Sequence, residues 1–395
     1  MATFVGIGFS QKSNTTTAVN EASLIARRNA QQQHFDLVIF FSTVHYPATE
    51  TLEAIRQNFK QARIIGTSTA GIILPERIET QGIGILAVKS TEIKCGVGCV
   101  DDLLSDNLSF TGSQLAQNTL KDFGINRRQL FLFFIDSLIE NNAALIKGVR
   151  ETLGTTVPLL GAGSSDDFQF LKTYQFCQDK ALTHSAVGLL LGGEMKIGIG
   201  LKHGWKPLGK PRLIDQAEGH IIKSIDGQKA YHLLEEYFRN DIQHFRSKRP
   251  NRTSFLYPLG IYIEKDGEYL LRYVKNILSD GSLVCQGDVP AGSYVHIMIG
   301  NKDSAKQAAV EAATEVLYSL LGKQPKFFIV FESLSRYKLL GRGALLEIQM
   351  IREILGYTTP MVGMYSFGEI GPLKPIDYLG EPLSQNHMMM ILGIS

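Results

Sequence analysis

The chain repeats itself. Three times it runs through a strand, a helix, an apolar strand ending near a serine, a second helix, a strand with a glycine turn, and a closing strand. Self-similarity on this scale leaves few folds open, because each copy must bury its apolar face under helices or against the other copies. The apolar strands are DLVIFFS to Ser42, LFLFFIDS to Ser137 and FFIVFES to Ser333. Runs of this kind suit strands covered on both faces. The glycine turns are RIIGTST, PLLGAGSS and PMVGMYSFGE, and aligning Gly66, Gly161 and Gly363 brings Thr69, Ser164 and Ser366 into register. The closing strands are GIGILAVKS, AVGLLLGG and HMMMILGIS.

The opening strands carry Gly-x-Gly or nearly so: FVGIGFS, IKCGVGCV and, for the third copy, YVHIMIG at Tyr294 to Gly300. After the third, Ala305, Ala308, Ala309, Ala312 and Val316 fall on one helical face, with Asp303 placed to cap it. The expected fold is α/β, with three strand-helix-strand-helix-strand-strand units in mixed sheets covered by helices. Residues 3–90, 91–193 and 293–395 should superpose. The expected division is an N-terminal domain of two units (1–220) and a C-terminal domain (221–395) holding the third unit and a preceding inserted segment.

Of the 395 residues, 44% are hydrophobic, and the net charge is only +2, so nothing demands a polyanionic partner. The basic run Arg246 to Arg252 has no reading motif and reads as a solvated loop, not a nucleic-acid site. The N-terminus lacks a basic n-region, and no apolar stretch approaches the roughly 18 residues of a membrane span. A cytoplasmic location without membrane insertion is expected. Cys95 and Cys99, four apart on a strand, lie roughly 13 Å from each other, too far to bridge, and read as reduced core thiols.

GTSTAGII at Gly66 to Ile73, HGWKPLG, PLGIYIEKDGEYLLRYV and GMYSFGEIGPL together resemble the two-part FIST sensor module, over nearly the whole chain. The resemblance implies an intracellular sensory module for small molecules such as amino acids. It also implies a stand-alone subgroup that binds haem, senses nitric oxide and acts on a separate histidine kinase. Because the last unit runs to the C-terminus without an output segment, the signal is expected to leave by protein–protein contact. One departure stands out: Ser333, followed by Arg336, occupies the region where members of the family often carry a cysteine.

The glycine turns are the expected ligand site, since small residues let backbone N–H groups approach a ligand and hydroxyls add donors. This selects Gly66, Ser68, Thr69 and Gly71 from the first unit, and Tyr365, Ser366, Gly368 and Glu369 from the third. The two turns should line one pocket near Arg272, which could pair with Glu369. A haem b would need an axial imidazole. His203, beside Trp205 and two prolines, is the first candidate, and His244, beside Phe245 and Arg246, the second. There is no GxSxG elbow, Walker loop or HExxH. The expectation is a haem-binding nitric oxide sensor that is not an enzyme. The alternatives are a non-haem sensor of an amino acid or similar metabolite, and a hydrolase or transferase using a loop serine.

Overall fold

The structure is a computed structural model describing residues 2–104, 107–124, 127–139, 142–245, 252–265, 267–374 and 381–395. The first unit comprises β1 (Thr3–Ser10), α1 (Thr15–Ala30), β2 (Leu37–Thr43), α2 (Ala48–Asn58), β3 (Arg63–Thr69), a hairpin of β4 (Ile72–Leu74) and β5 (Arg77–Glu79), and β6 (Ile83–Ser90). The second follows in the same order: β7 (Ile93–Val100), α3 (Leu108–Phe123), β8 (Arg128–Asp136), α4 (Ala143–Leu153), β9 (Leu159–Ser164), the hairpin β10 (Gln175–Cys177) and β11 (Lys180–Leu182), and β12 (Ala186–Gly193).

The third unit opens on β13 (Ile197–Lys202), not on Tyr294–Gly300 as expected. An insertion then intervenes: β14 (Lys206–Glu218), β15 (Ile221–Ile225), β16 (Gln228–Lys229), α5 (Tyr231–Phe238), α6 (Arg252–Leu256), β17 (Leu259–Ile263), β18 (Glu268–Arg272), β19 (Val274–Ile277), β20 (Leu283–Cys285) and β21 (Tyr294–Ile299). The unit resumes with α7 (Lys302–Ser319), β22 (Phe327–Ser333), α8 (Leu334–Leu340), α9 (Ala344–Leu355), β23 (Met361–Ser366), β24 (Glu369–Pro372), β25 (Pro382–Gln385) and β26 (Met389–Ile394). YVHIMIG is β21, which pairs with β14 and β17 inside the insertion.

The Gly-x-Gly pattern distinguishes the two candidates. IGIGLK carries it in β13, because α7 lies directly on that strand: a Cβ on Gly200 would sit 1.8 Å from the Ala312 carbonyl oxygen. Gly8 of β1 meets α1 in the same way, 1.8 Å from the Ala22 oxygen. Backbone so close leaves no room for a side chain. The helices that follow the opening strands also start alike, each with an asparagine N-cap. Asn14, Asn107 and Asn301 accept from Thr17 N, Phe110 N and Ser304 N at 2.9, 3.1 and 2.8 Å, satisfying first-turn donors. Asn301, not Asp303, caps the third.

Each unit lends its hairpin to another unit's sheet. The three sheets run β1-β6-β2-β3-β10-β11, β25-β24-β9-β8-β12-β7 and β13-β26-β22-β23-β4-β5. The central pairs β2–β3, β8–β9 and β22–β23 are parallel, and their neighbours antiparallel. Borrowed residues Phe176, Ile370 and Ile73 face Gly66, Gly161 and Gly363, so the same register closes the ring three times. On its axis Phe41, Phe134 and Phe331 form a triangle, with ring centroids 6.0, 6.0 and 6.4 Å apart. The insertion builds a fourth sheet, ordered β18-β17-β21-β14-β15-β20-β19 with β16 beside β15.

Candidate functional site

The three glycine turns meet, and they bind one another. Thr69 Oγ1 donates to the Tyr365 carbonyl (2.9 Å), and Tyr365 N to the Gly71 carbonyl (3.0 Å). Ser165 Oγ donates to the same Tyr365 oxygen (2.6 Å) and accepts from Ala70 N (3.0 Å). Ser68 Oγ donates to the Ser165 carbonyl (3.0 Å), and Gly163 N to the Gly368 carbonyl (2.8 Å). The hydroxyls of Ser68 and Thr69 are buried and spent on carbonyls, so these turns form a structural hub.

The expected pair of Glu369 and Arg272 does not form. Glu369 accepts from Ser366 Oγ (2.6 Å) and Met388 N (3.2 Å), and burial raises its carboxyl to about 8. Arg272 donates to the carbonyls of Asp288, Leu271 and Ser384 at 2.8 to 2.9 Å. Burial lowers its guanidinium to about 10.

A cavity of about 900 Å³ opens instead where the insertion leaves the third unit and rejoins it. One wall is Leu201 to Lys206, at the end of β13. Another is Glu268 and Tyr269 of β18, and a third runs from Asn301 to Glu311 at the start of α7. Gln385 and Met388 also line it. Lys202, Lys206 and Lys302 supply cations, while Glu268, Asp303 and Glu311 supply carboxylates. Lys202 is held by Glu315 (2.9 Å) and raised by that partner against the opposing effect of burial. Trp205 is anchored by its indole N–H on the Leu256 carbonyl (3.0 Å) and stands edge-on to His387, with centroids 4.9 Å apart. An aromatic wall flanked by charges of both signs suits a small ligand carrying both signs itself.

A sealed polar cluster lies behind this cavity. Glu332, Arg336 and Glu347 have no exposed surface, and Tyr365 almost none. Arg336 donates to the carbonyls of His203 (2.6 Å) and Ala305 (2.8 Å), contacts Glu347 closely, and has its Nε 3.7 Å from Glu332. One guanidinium cannot neutralise two buried carboxylates. Burial first, then the charge of Glu347, pushes the Glu332 carboxyl well above its ordinary range. Both Glu332 oxygens, one Glu347 oxygen and the Tyr365 hydroxyl lack well-formed hydrogen bonds among the described residues. Sequence reading singled out Arg336 but missed its partners. The available signal was Glu332, a lone acid in the apolar run FFIVFES.

His203 lines the cavity, but its donor set does not fit a haem iron. Its Nδ1 accepts the Trp205 backbone N–H (2.8 Å), and burial lowers the ring to about 4, so it is neutral with its proton on Nε2. Neither nitrogen offers a free lone pair until that hydrogen bond breaks. His244 is exposed, its Nδ1 3.3 Å from Thr253 Oγ1, and residues 246–251 beside it lie outside the described residues. Among the described residues no group of three or more His, Cys, Asp or Glu side chains is arranged to hold a metal ion.

Swapped mixed sheets under helices, with a charged cavity at an insertion, define an α/β module. Models of the FIST N domain and the FIST C domain match residues 36–228 and 230–372, and the chain belongs to the FIST family, a family of sensory signal-transduction domains. An uncharacterised protein of Mycobacterium tuberculosis is 23% identical over 388 residues, covering 93% of this chain and 95% of its own. An uncharacterised protein of Methanocaldococcus jannaschii is 22% identical over 281 residues, covering 66% of this chain and 54% of its own, so the match spans about half that relative's length. Among solved structures, the cyanuric acid hydrolase of A. caulinodans is similar over 100% of this chain and 99% of its own, at TM-score 0.42 and 6% identity. A second cyanuric acid hydrolase matches over both full lengths at TM-score 0.39 and 7% identity. Against these matches the expectation that the chain is not an enzyme is not kept, and at these TM-scores they assign it no activity. Among the described residues no helix is long and apolar enough to cross a membrane.

Proposed function

We propose that this chain senses a small zwitterionic metabolite, an amino acid or a close relative, in the cavity at Trp205, and that a separate signalling protein reads its occupancy. The observation that carries this reading is the cavity's composition: three lysines and three carboxylates line it together with Trp205 and Tyr269, within about 900 Å³. Lysines near the start of α7 suit a carboxylate, and Glu268 and Glu311 suit an ammonium group. Tyr269, the more exposed of the two aromatic residues, suits the remaining side chain.

The position of the cavity supports a sensing role. Its walls come from the third unit on one side and from β18 of the insertion on the other. A ligand bridging the two favours whichever arrangement places both walls within reach. Arg336 lies just behind, holding the carbonyls of His203 and Ala305, so a shift of either wall reaches the sealed cluster.

Thermal-shift measurements across the proteinogenic amino acids test the proposal. At least one should raise the melting temperature, while its analogues lacking the amine or the carboxylate should not. Gln307→Trp, which adds bulk at an exposed wall position, should abolish the shift without lowering the unliganded melting temperature. A shift that survives Gln307→Trp would place the ligand elsewhere.

A further inference from the structure

Arg272 is a buried cation with an incomplete shell. It is 2% exposed. Its Nε donates to the Asp288 carbonyl, and its Nη1 to the carbonyls of Leu271 and Ser384, at 2.8 to 2.9 Å. Among the described residues Nη2 has no acceptor, and no carboxylate forms an ion pair with the guanidinium. Gly287, at φ +96°, packs on the group, and a Cβ there would lie 3.2 Å from Arg272 Cζ. The carbonyls fix the guanidinium in place without neutralising it, whereas buried charges are ordinarily paired. Burial is the main cause of its lowered value, against weaker opposing effects of Cys285 and Asp288.

Arg272 lines a second cavity, of about 1010 Å³. β18 and β25 contribute to both cavities: Glu268, Tyr269 and Gln385 line the one at Trp205, and Leu270, Arg272 and Ser384 line this one. The facing wall is α4 of the second unit, and Ile146, Ile263, Val289 and Leu383 supply apolar surface. Lys147, Arg150 and Lys265 add cations, while Glu151, Asp288 and Glu381 add carboxylates. With Arg272 the cations number four against three carboxylates. That balance suits a single negative charge and disfavours a multiply charged group such as phosphate, which the three carboxylates would repel.

We propose that this cavity binds an organic monocarboxylate with an apolar body, its carboxylate accepting from Nη2 of Arg272 and its hydrocarbon part lying against the apolar walls. A charge-assisted hydrogen bond to a desolvated guanidinium is stronger than its counterpart in water, and the donor is already oriented by the three carbonyls. The ligand bridges α4 of the second unit, the insertion, and β25, the strand that the third unit lends to the second sheet. An occupied site therefore ties the insertion to the ring at a place separate from Trp205.

The test is isothermal titration of the intact chain with phenylacetate and octanoate, each compared with its neutral amide. At least one carboxylate should bind saturably, and its amide at least about tenfold more weakly, through loss of the charge-assisted contact. Inorganic phosphate should not displace it. Arg272→Gln should bring acid and amide to similar affinities. Because that variant also strips donors from three carbonyls, two wall variants are read beside it. Ala144→Trp on the α4 wall and Pro290→Trp on the insertion wall leave Arg272 in place, and each should weaken the carboxylate at least about tenfold at an unchanged circular dichroism spectrum. Failure of both carboxylates to bind at millimolar concentration, equal affinity for acid and amide, displacement by phosphate, or affinity unmoved by the wall variants would overturn the proposal. These probes lack the amine that the cavity at Trp205 is proposed to need, and Gln307→Trp should leave their binding unchanged, so the result stands apart from the proposed function.

Discussion

Replacing Arg336 with methionine keeps much of the side-chain stem and removes the one positive charge in the sealed cluster. The substitution strips the hydrogen-bond donors from the His203 and Ala305 carbonyls, and leaves Glu347 in contact with no cation. Breaking a buried ion pair from one side costs about 3–5 kcal/mol, since the remaining charge stays desolvated. Each buried carbonyl left without a donor adds about 1–3 kcal/mol when taken alone, and relaxation of the walls prevents these from summing. The net expectation is a loss of about 3–5 kcal/mol, measured as a lower urea midpoint at unchanged slope. A second substitution distinguishes pairing from packing. Arg336→Met with Glu347→Leu removes both partners, and stability should return by at least about 2 kcal/mol, because an apolar pair in place of a buried ion pair is close to neutral. A loss below about 1 kcal/mol for Arg336→Met, or no recovery in the double variant, would refute the electrostatic account of this cluster.

Other perturbations probe the axis, the pH dependence and the strand–helix contacts. Phe331→Ala opens a hole at the threefold junction and should cost about 3–5 kcal/mol in urea unfolding. Glu369 is an acid whose folded value, about 8, lies above its unfolded one. Its contribution is fully present below the unfolded value and is lost as pH rises through about 8. Stability should therefore fall between about pH 5 and about pH 9, less steeply in Glu369→Gln, and an equal slope in both proteins would contradict the assignment. Gly200→Val drives a side chain into the Ala312 carbonyl and should abolish soluble folded protein or cost more than about 3 kcal/mol, by circular dichroism and urea titration.

Much of this architecture can be read in the residues, and the errors have physical causes. The unbroken apolar runs ending at Ser42, Ser137 and Ser333 are central strands, as their composition requires, and Gly66, Gly161 and Gly363 all face borrowed strands. The third opening strand was misplaced because an insertion of about a hundred residues separates β13 from α7. YVHIMIG directly precedes the helix, and adjacency outweighed the better pattern in IGIGLK. The hairpin exchange is invisible in sequence, because three-residue strands such as Ile72–Leu74 do not reveal which sheet they join. That exchange explains why the glycine turns are a hub: their hydroxyls are consumed in holding the ring closed. Arg272 and Glu369 were paired on charge alone, yet local carbonyls and Ser366 already hold them. The cavity escaped notice because its walls come from three segments distant in sequence.

The most direct test of the central claim is isothermal titration of the intact chain with the amino acid that gives the largest thermal shift. The account predicts saturable one-site binding, with affinity lost at least about tenfold in Glu268→Gln through removal of a charge-assisted contact to the ammonium group. Analogues of that amino acid lacking either charged end should bind more weakly by a similar factor. Equal affinity of the unsubstituted chain and Glu268→Gln, or undiminished binding of the single-charge analogues, would contradict the proposal that this cavity reads a zwitterion.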